Sequence, residues 1–144
     1  MFRVFVTSWL ITAVGTSMLF PQSGASPRTI DKGAHSQITS SREVAVRSAA
    51  EWDVLWRAHQ PAGPHAAIDF SKEMIVAVFL GNRPTADYSV TIVSAVEEGS
   101  VLRVRYRETP PAPDAMTAQI LTYPYQIVAI PKSAAKDVKF EKIE

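Results

Sequence analysis

Apolar positions follow two different periods along this chain, and the change from one to the other marks out its elements. Residues 74–80, MIVAVFL, form an unbroken apolar run bounded by Glu73 and Gly81. The run is short for a helix and rich in β-branched and aromatic side chains, which predicts a central strand buried on both faces. Upstream, Ile38, Val44 and Val46 lie among polar residues across 37–47, the pattern of a first strand. Between the two, Trp52, Leu55, Trp56 and His59 recur at helical spacing. Ser48-Ala49-Ala50-Glu51 places a capping box ahead of them, and Pro61 and Gly63 end the helix. Two Trp side chains would pin that helix across a sheet, each with an indole N–H in need of a partner.

Downstream the pattern is strand throughout. Residues 89–97 carry Val90, Ile92, Val93 and Val96, Glu98-Gly99-Ser100 makes a hairpin turn, and residues 101–109 alternate. In that alternation Val104 and Tyr106 face one way and Arg103, Arg105 and Arg107 the other, so one face is wet. A proline-rich connection, TPPAPDAMTAQ, leads to Tyr123-Pro124-Tyr125 and a buried strand over 126–130, and residues 137–143 can close an edge. Strands spaced by turn signals around one helix predict a mainly β, α+β fold. Its expected form is a small antiparallel β-sandwich or partly open barrel with one amphipathic helix packed on it.

The N-terminus changes the picture. Residues 1–25 place one basic residue, Arg3, before an apolar core and end in Ser23-Gly24-Ala25. That is the layout of a secretory signal peptide cleaved after Ala25, and Val4 to Phe20, interrupted by hydroxyl side chains, is slightly short for a retained span. The expected location is extracytoplasmic, periplasmic or secreted. Residues 26–36 are small and polar without an apolar period, which predicts a flexible tether before a β-rich domain over 37–144. After cleavage, 14 of the 15 basic residues face 14 acidic ones, so bulk charge points to neither nucleic acid nor an anionic membrane. With no cysteine, the domain folds by its core alone and has no thiol for a lipid anchor.

Enzyme signatures are sparse, and the expectation is a protein without catalytic activity, cofactor or metal. His35, His59 and His65 give no HExxH and no cysteine partner; His59, His65 and Asp69 would have to converge to hold a metal. Glu108 and Asp114 flank the Pro-rich loop, where solvated carboxylates are ordinary. The arginine stripe on residues 103–107 is either a solvent face or a surface for an acidic partner. Stronger candidates are the loops. Gly81 and the sequence Asn82-Arg83-Pro84-Thr85-Ala86-Asp87-Tyr88 follow the buried strand and end on an aromatic; Pro84 fixes its own φ and pushes Arg83 out of the helical region. Pro110, Pro111, Tyr123 and Tyr125 likewise join stiffness to amphipathic area. Asn82, Arg83, Pro84, Thr85, Asp87, Tyr88, Pro110, Pro111, Tyr123 and Tyr125 are therefore the expected partner-binding residues.

Taken together, RSAAEWDVLWRAH, IDFSKEMIVAVFLGNRPTADYSVTI, VLRVRYRETPPAP and LTYPYQIVAIPK resemble the PrcB C-terminal domain family over roughly residues 43–140. The likeness rests on Trp52 and Trp56 in the helix, Gly81 before Pro84-Thr85, Tyr88 opening the next strand, and Pro131-Lys132 after an apolar strand. It implies a non-catalytic accessory subunit that associates with an exported protease and supports its stability. Where the family tends to place glycines between Pro-Thr and Tyr, this chain has Ala86-Asp87. A more local similarity links Pro84 to Tyr88 with the Pro-Thr loop of chagasin-like cysteine-protease inhibitors, with Tyr123-Pro124-Tyr125 at the place of a second wedge. A third alternative, a small-ligand-binding barrel, requires an apolar cavity between the strands in place of a packed interior.

Overall fold

Which face each strand buries follows from the alternation of its side chains. The computed structural model describes residues 27–144. Within them the order is β1 (Arg28–Gly33), β2 (Arg42–Val46), α1 (Ala49–His59), β3 (Glu73–Phe79), β4 (Ser89–Glu98), β5 (Val101–Thr109), β6 (Tyr125–Pro131) and β7 (Asp137–Ile143). Four strands form one sheet in the order β1-β6-β3-β2, and three form a second in the order β4-β5-β7. On β3, Met74, Val76 and Val78 point into the layer between the sheets, where they meet Val90, Ile92, Leu102, Val104, Val128 and Ile130. The intervening Ile75, Ala77 and Phe79 point the other way, onto Trp52 and Leu55 of α1. The run is apolar without interruption because this strand has no wet face. The result is three layers, helix on sheet on sheet, and the inter-sheet space is filled by side chains.

The helix forms where the sequence places it. Ser48 accepts the Glu51 amide as N-cap, and Trp52 meets its indole requirement by donating to the Ala66 carbonyl at 3.0 Å. Trp56 Nε1 is buried with no partner among the described residues.

Three expectations need correction or qualification, and a fourth falls outside the described residues. Residues 26–36 are not a tether throughout: Arg28–Gly33 forms β1 and pairs antiparallel with β6. A segment with little apolar content gains order here from main-chain bonds to a strand edge that would otherwise be open. Its side chains add to this, with Arg28 on Glu73 at 2.8 Å and half-buried Ile30 against the helix-side core. Next, the strand expected over 37–47 contracts to Arg42–Val46, because Ile38 is buried from a loop. The sandwich is not wholly antiparallel either. After β6 the chain crosses to the other sheet through residues 132–136 and arrives at the Val101 end of β5, so β7 runs parallel to it. Lastly, the signal peptide expected over 1–25 lies outside the described residues. No helix among the described residues is long and apolar enough to cross a membrane.

Candidate functional site

Gly81 begins the loop that follows β3, and its backbone explains why. Its φ is +77°, and a Cβ there would lie 2.9 Å from the Ser41 amide nitrogen, so only glycine fits without displacing main chain. At the far end Asp87 takes φ 69°, the one described non-glycine residue with positive φ. Ala86-Asp87, the departure noted between Pro84-Thr85 and Tyr88, thus still reaches a glycine-like conformation at Asp87, which Asp tolerates better than most side chains.

Between these two points the loop is zipped to the segment preceding β6. Arg83 and Thr122 exchange backbone hydrogen bonds of 2.8 and 3.0 Å, the Ala86 amide donates to Ala118 at 3.0 Å, and the Thr122 hydroxyl donates to the Thr85 carbonyl at 2.9 Å. On its other side that segment is held by residues 34–36, with the Tyr123 amide on the Ala34 carbonyl at 2.8 Å. The register of β4 with β5 sets Ser89 opposite Thr109, which brings Tyr88 close in sequence to one strand end and Pro110-Pro111 to the other. Residues 82–88, 110–111 and 116–123 thus gather at one end of the molecule.

Not every expected residue offers a surface. Asn82, Pro84, Asp87 and Pro110 are exposed, and Thr85, Tyr88, Pro111 and Tyr123 are half-buried. Arg83 is committed inward: its Nε donates to Glu108 at 2.8 Å and its Nη1 to the Leu80 and Asn82 carbonyls. Burial alone would push the Glu108 carboxyl up, but the Arg83 hydrogen bonds and charge, with Lys142 adding to them, hold it below its ordinary value. Arg83 therefore shapes the loop from beneath it. Tyr125 is a correction. At 5% exposure it is core, stacked on Phe79 with centroids 6.1 Å apart and set edge-on to His59 at 4.2 Å. Its position opening β6 puts its ring on the helix-side face, a consequence of strand register that a Tyr-Pro-Tyr motif does not announce.

Three residues were missed. Met116, Ile120 and Leu121 are 101%, 49% and 58% exposed, and all belong to the segment zipped to the loop. Three large apolar side chains are thus exposed on one ordered segment. The sequence signal was available in DAMTAQIL, but its irregular spacing fits neither strand nor helix and so carried no expectation.

The other candidates have local explanations. His59 is fully buried: its Nε2 lies 2.9 Å from Asp31 Oδ2 and its Nδ1 2.8 Å from Ser36 Oγ. Asp31 can only accept, so Nε2 donates to it, while the Ser36 oxygen both meets Nδ1 and accepts the Ile38 amide at 3.0 Å. The residue types are those of a nucleophilic triad, but Ser36 is buried, with its oxygen held between His59 and the Ile38 amide. His65 pairs instead with Asp53 and the Ala66 carbonyl, and Asp69 with Ser71, so the three groups do not converge on a metal. Among the arginines of β5, Arg103 meets Glu98 and Glu141, Arg105 meets Glu141, and Arg107 donates to the Glu144 carbonyl. That face is a laced solvent surface with little unopposed charge.

Comparison with known proteins adds one match. Residues 74–131 match the family model described as PrcB C-terminal, a span running from β3 through β6 that contains the whole loop end. The likeness noted from the sequence over residues 43–140 is borne out across that narrower part. No curated protein and no solved structure matches the chain.

Proposed function

We propose that this protein is an exported, non-catalytic interaction domain, an accessory or stabilising subunit that docks on an extracytoplasmic protease through its loop end. One observation carries the reading: residues 82–88 are zipped to 116–123, so Pro84, Tyr88, Ile120 and Leu121 stand on a hydrogen-bonded platform. A surface already ordered before contact loses little entropy on binding. The family match supports the choice of partner, since it spans this platform and the PrcB C-terminal likeness implies association with an exported protease. Export itself rests on the leader pattern of residues 1–25.

The inhibitor alternative loses ground because its second wedge falls at Tyr123-Pro124-Tyr125, where Pro124 and Tyr125 are buried and only Tyr123 is half-exposed. The ligand-barrel alternative loses ground because the inter-sheet layer is packed with side chains. Capture from the native exported fraction on immobilised protein, beside its Tyr88→Ala variant, tests the proposal. A protease retained by the wild type and depleted on the variant is the expected result. A correctly folded wild-type bait that retains no protease would overturn it.

A further inference from the structure

The free edge of the four-stranded sheet carries a groove whose Arg42 end lies beside the start of the loop. β2 is the last strand of its sheet, bonded to β3 on one side, and no described residue pairs with its other edge. Beside that edge runs a groove of about 450 Å³ between β2 and α1, floored by Val44, Ala50, Val54 and Ala58. Val54 is 68% exposed, on a helix whose opposite side is core. The groove is polar only at its two ends. Arg42 opens β2 and has no side-chain partner among the described residues, while Glu51 lies by the end of β2, its carboxylate 3.5 Å from the Arg47 amide.

We infer that this groove is the interface of a two-fold dimer, its occupant a second copy of the same chain. Antiparallel pairing of β2 with its counterpart, about an axis perpendicular to the sheet and near Val44, extends four strands into eight and keeps both helices on one face. That operation carries Arg42 of each copy to the Val46 end of the other, beside Glu51 of the partner copy, and so forms two identical ion pairs from opposite charges. It also sets the two Ala50–Val54–Ala58 stripes face to face, where small side chains permit close helix approach. β2 is a short strand, and strand pairing alone would hold weakly; the helix stripe supplies the apolar area that an edge contact lacks. An unrelated extended peptide would satisfy the strand edge but has no reason to match both charged ends at once.

Sedimentation velocity of the purified full chain tests this, from about 1 to about 100 μM, where a specific interface of standard size is populated. The expected result is a concentration-dependent dimer whose dissociation constant rises at least about tenfold with Val54→Arg. Arg42→Glu and Glu51→Arg should each weaken it, and the double variant R42E/E51R should recover it, because the swapped charges meet again across the axis. Circular dichroism melts confirm that each variant is folded, and Arg42→Glu, outside the helix, serves where Glu51→Arg loosens the first turn. A monomer throughout the range would overturn the inference and leave the groove to an extended peptide. A dimer indifferent to Val54→Arg and Arg42→Glu would overturn it equally, by placing the interface elsewhere.

Discussion

Two backbone positions decide how the loop is displayed. Gly81→Ala should cost about 2–3 kcal/mol, the positive-φ penalty plus a forced shift of the chain at Ser41, and equilibrium denaturation would register it. Asp87→Gly should leave stability unchanged or raise it by about 0.5 kcal/mol, since relief at φ 69° is partly offset by a more flexible unfolded chain. A large loss at Asp87→Gly would mean that its side chain, and not its dihedral, is what the loop needs. Residue type foretold Gly81, because a glycine after a buried strand points to a turn or a close approach. It did not foretell the partners of His59. Asp31 and Ser36 lie in a stretch whose sequence looks unstructured, and they reach His59 from a segment held by the pairing of β1 with β6. Replacing His59 with Leu should therefore cost about 2–4 kcal/mol, through a lost clasp and a poorly filled site, and should loosen residues 28–36 in hydrogen exchange before the rest of the molecule.

At the scale of elements, the strongest periodic signals were legible and the weak ones were not. The helix with its Ser48 cap, the doubly buried β3 and the β4-β5 hairpin follow from patterns that local physics enforces. By contrast, β1 has half-buried positions only at Ile30 and Asp31, and its existence is decided by the vacant edge of β6. The direction of β7 is similarly a matter of where the chain re-enters the second sheet, which no window of sequence encodes. The two tryptophans of α1 show how environment separates identical residues. Trp52→Phe removes a buried indole and its hydrogen bond to Ala66, and should destabilise by about 1–3 kcal/mol. Trp56→Phe removes a buried donor that has no described partner, and should cost clearly less. Thermal melts of the two variants side by side check the ordering; equal losses would mean that the Trp56 indole is satisfied in solution.

For the whole molecule, the polar pairs that link the layers set the pH range of stability. Burial raises Glu108, but Arg83 and Lys142 outweigh it and the folded value lies below the ordinary 4.5. Its contribution is complete above 4.5 and fades as pH falls through the folded value. Tyr106 moves the other way, pushed up to about 12 by burial and by the Glu43 carboxylate that accepts its hydroxyl. Its contribution is complete below the ordinary value of 10.0 and is lost as pH rises toward about 12. Urea midpoints should thus fall at both extremes, with Glu108→Gln flattening the acid limb and Tyr106→Phe the alkaline one; limbs unchanged by these substitutions would assign the titration to other groups. Because the same Arg83–Glu108 pair underlies the loop, acid that weakens the fold also weakens the display of Pro84 and Tyr88. The binding isotherm of the captured protease, on wild-type protein and on Tyr88→Ala at neutral pH, tests the loop-end account most directly. The account predicts a loss of about 1–3 kcal/mol in affinity with an unchanged melting temperature. Unchanged affinity together with an earlier melt would contradict it, making Tyr88 a core residue and placing the partner on another face.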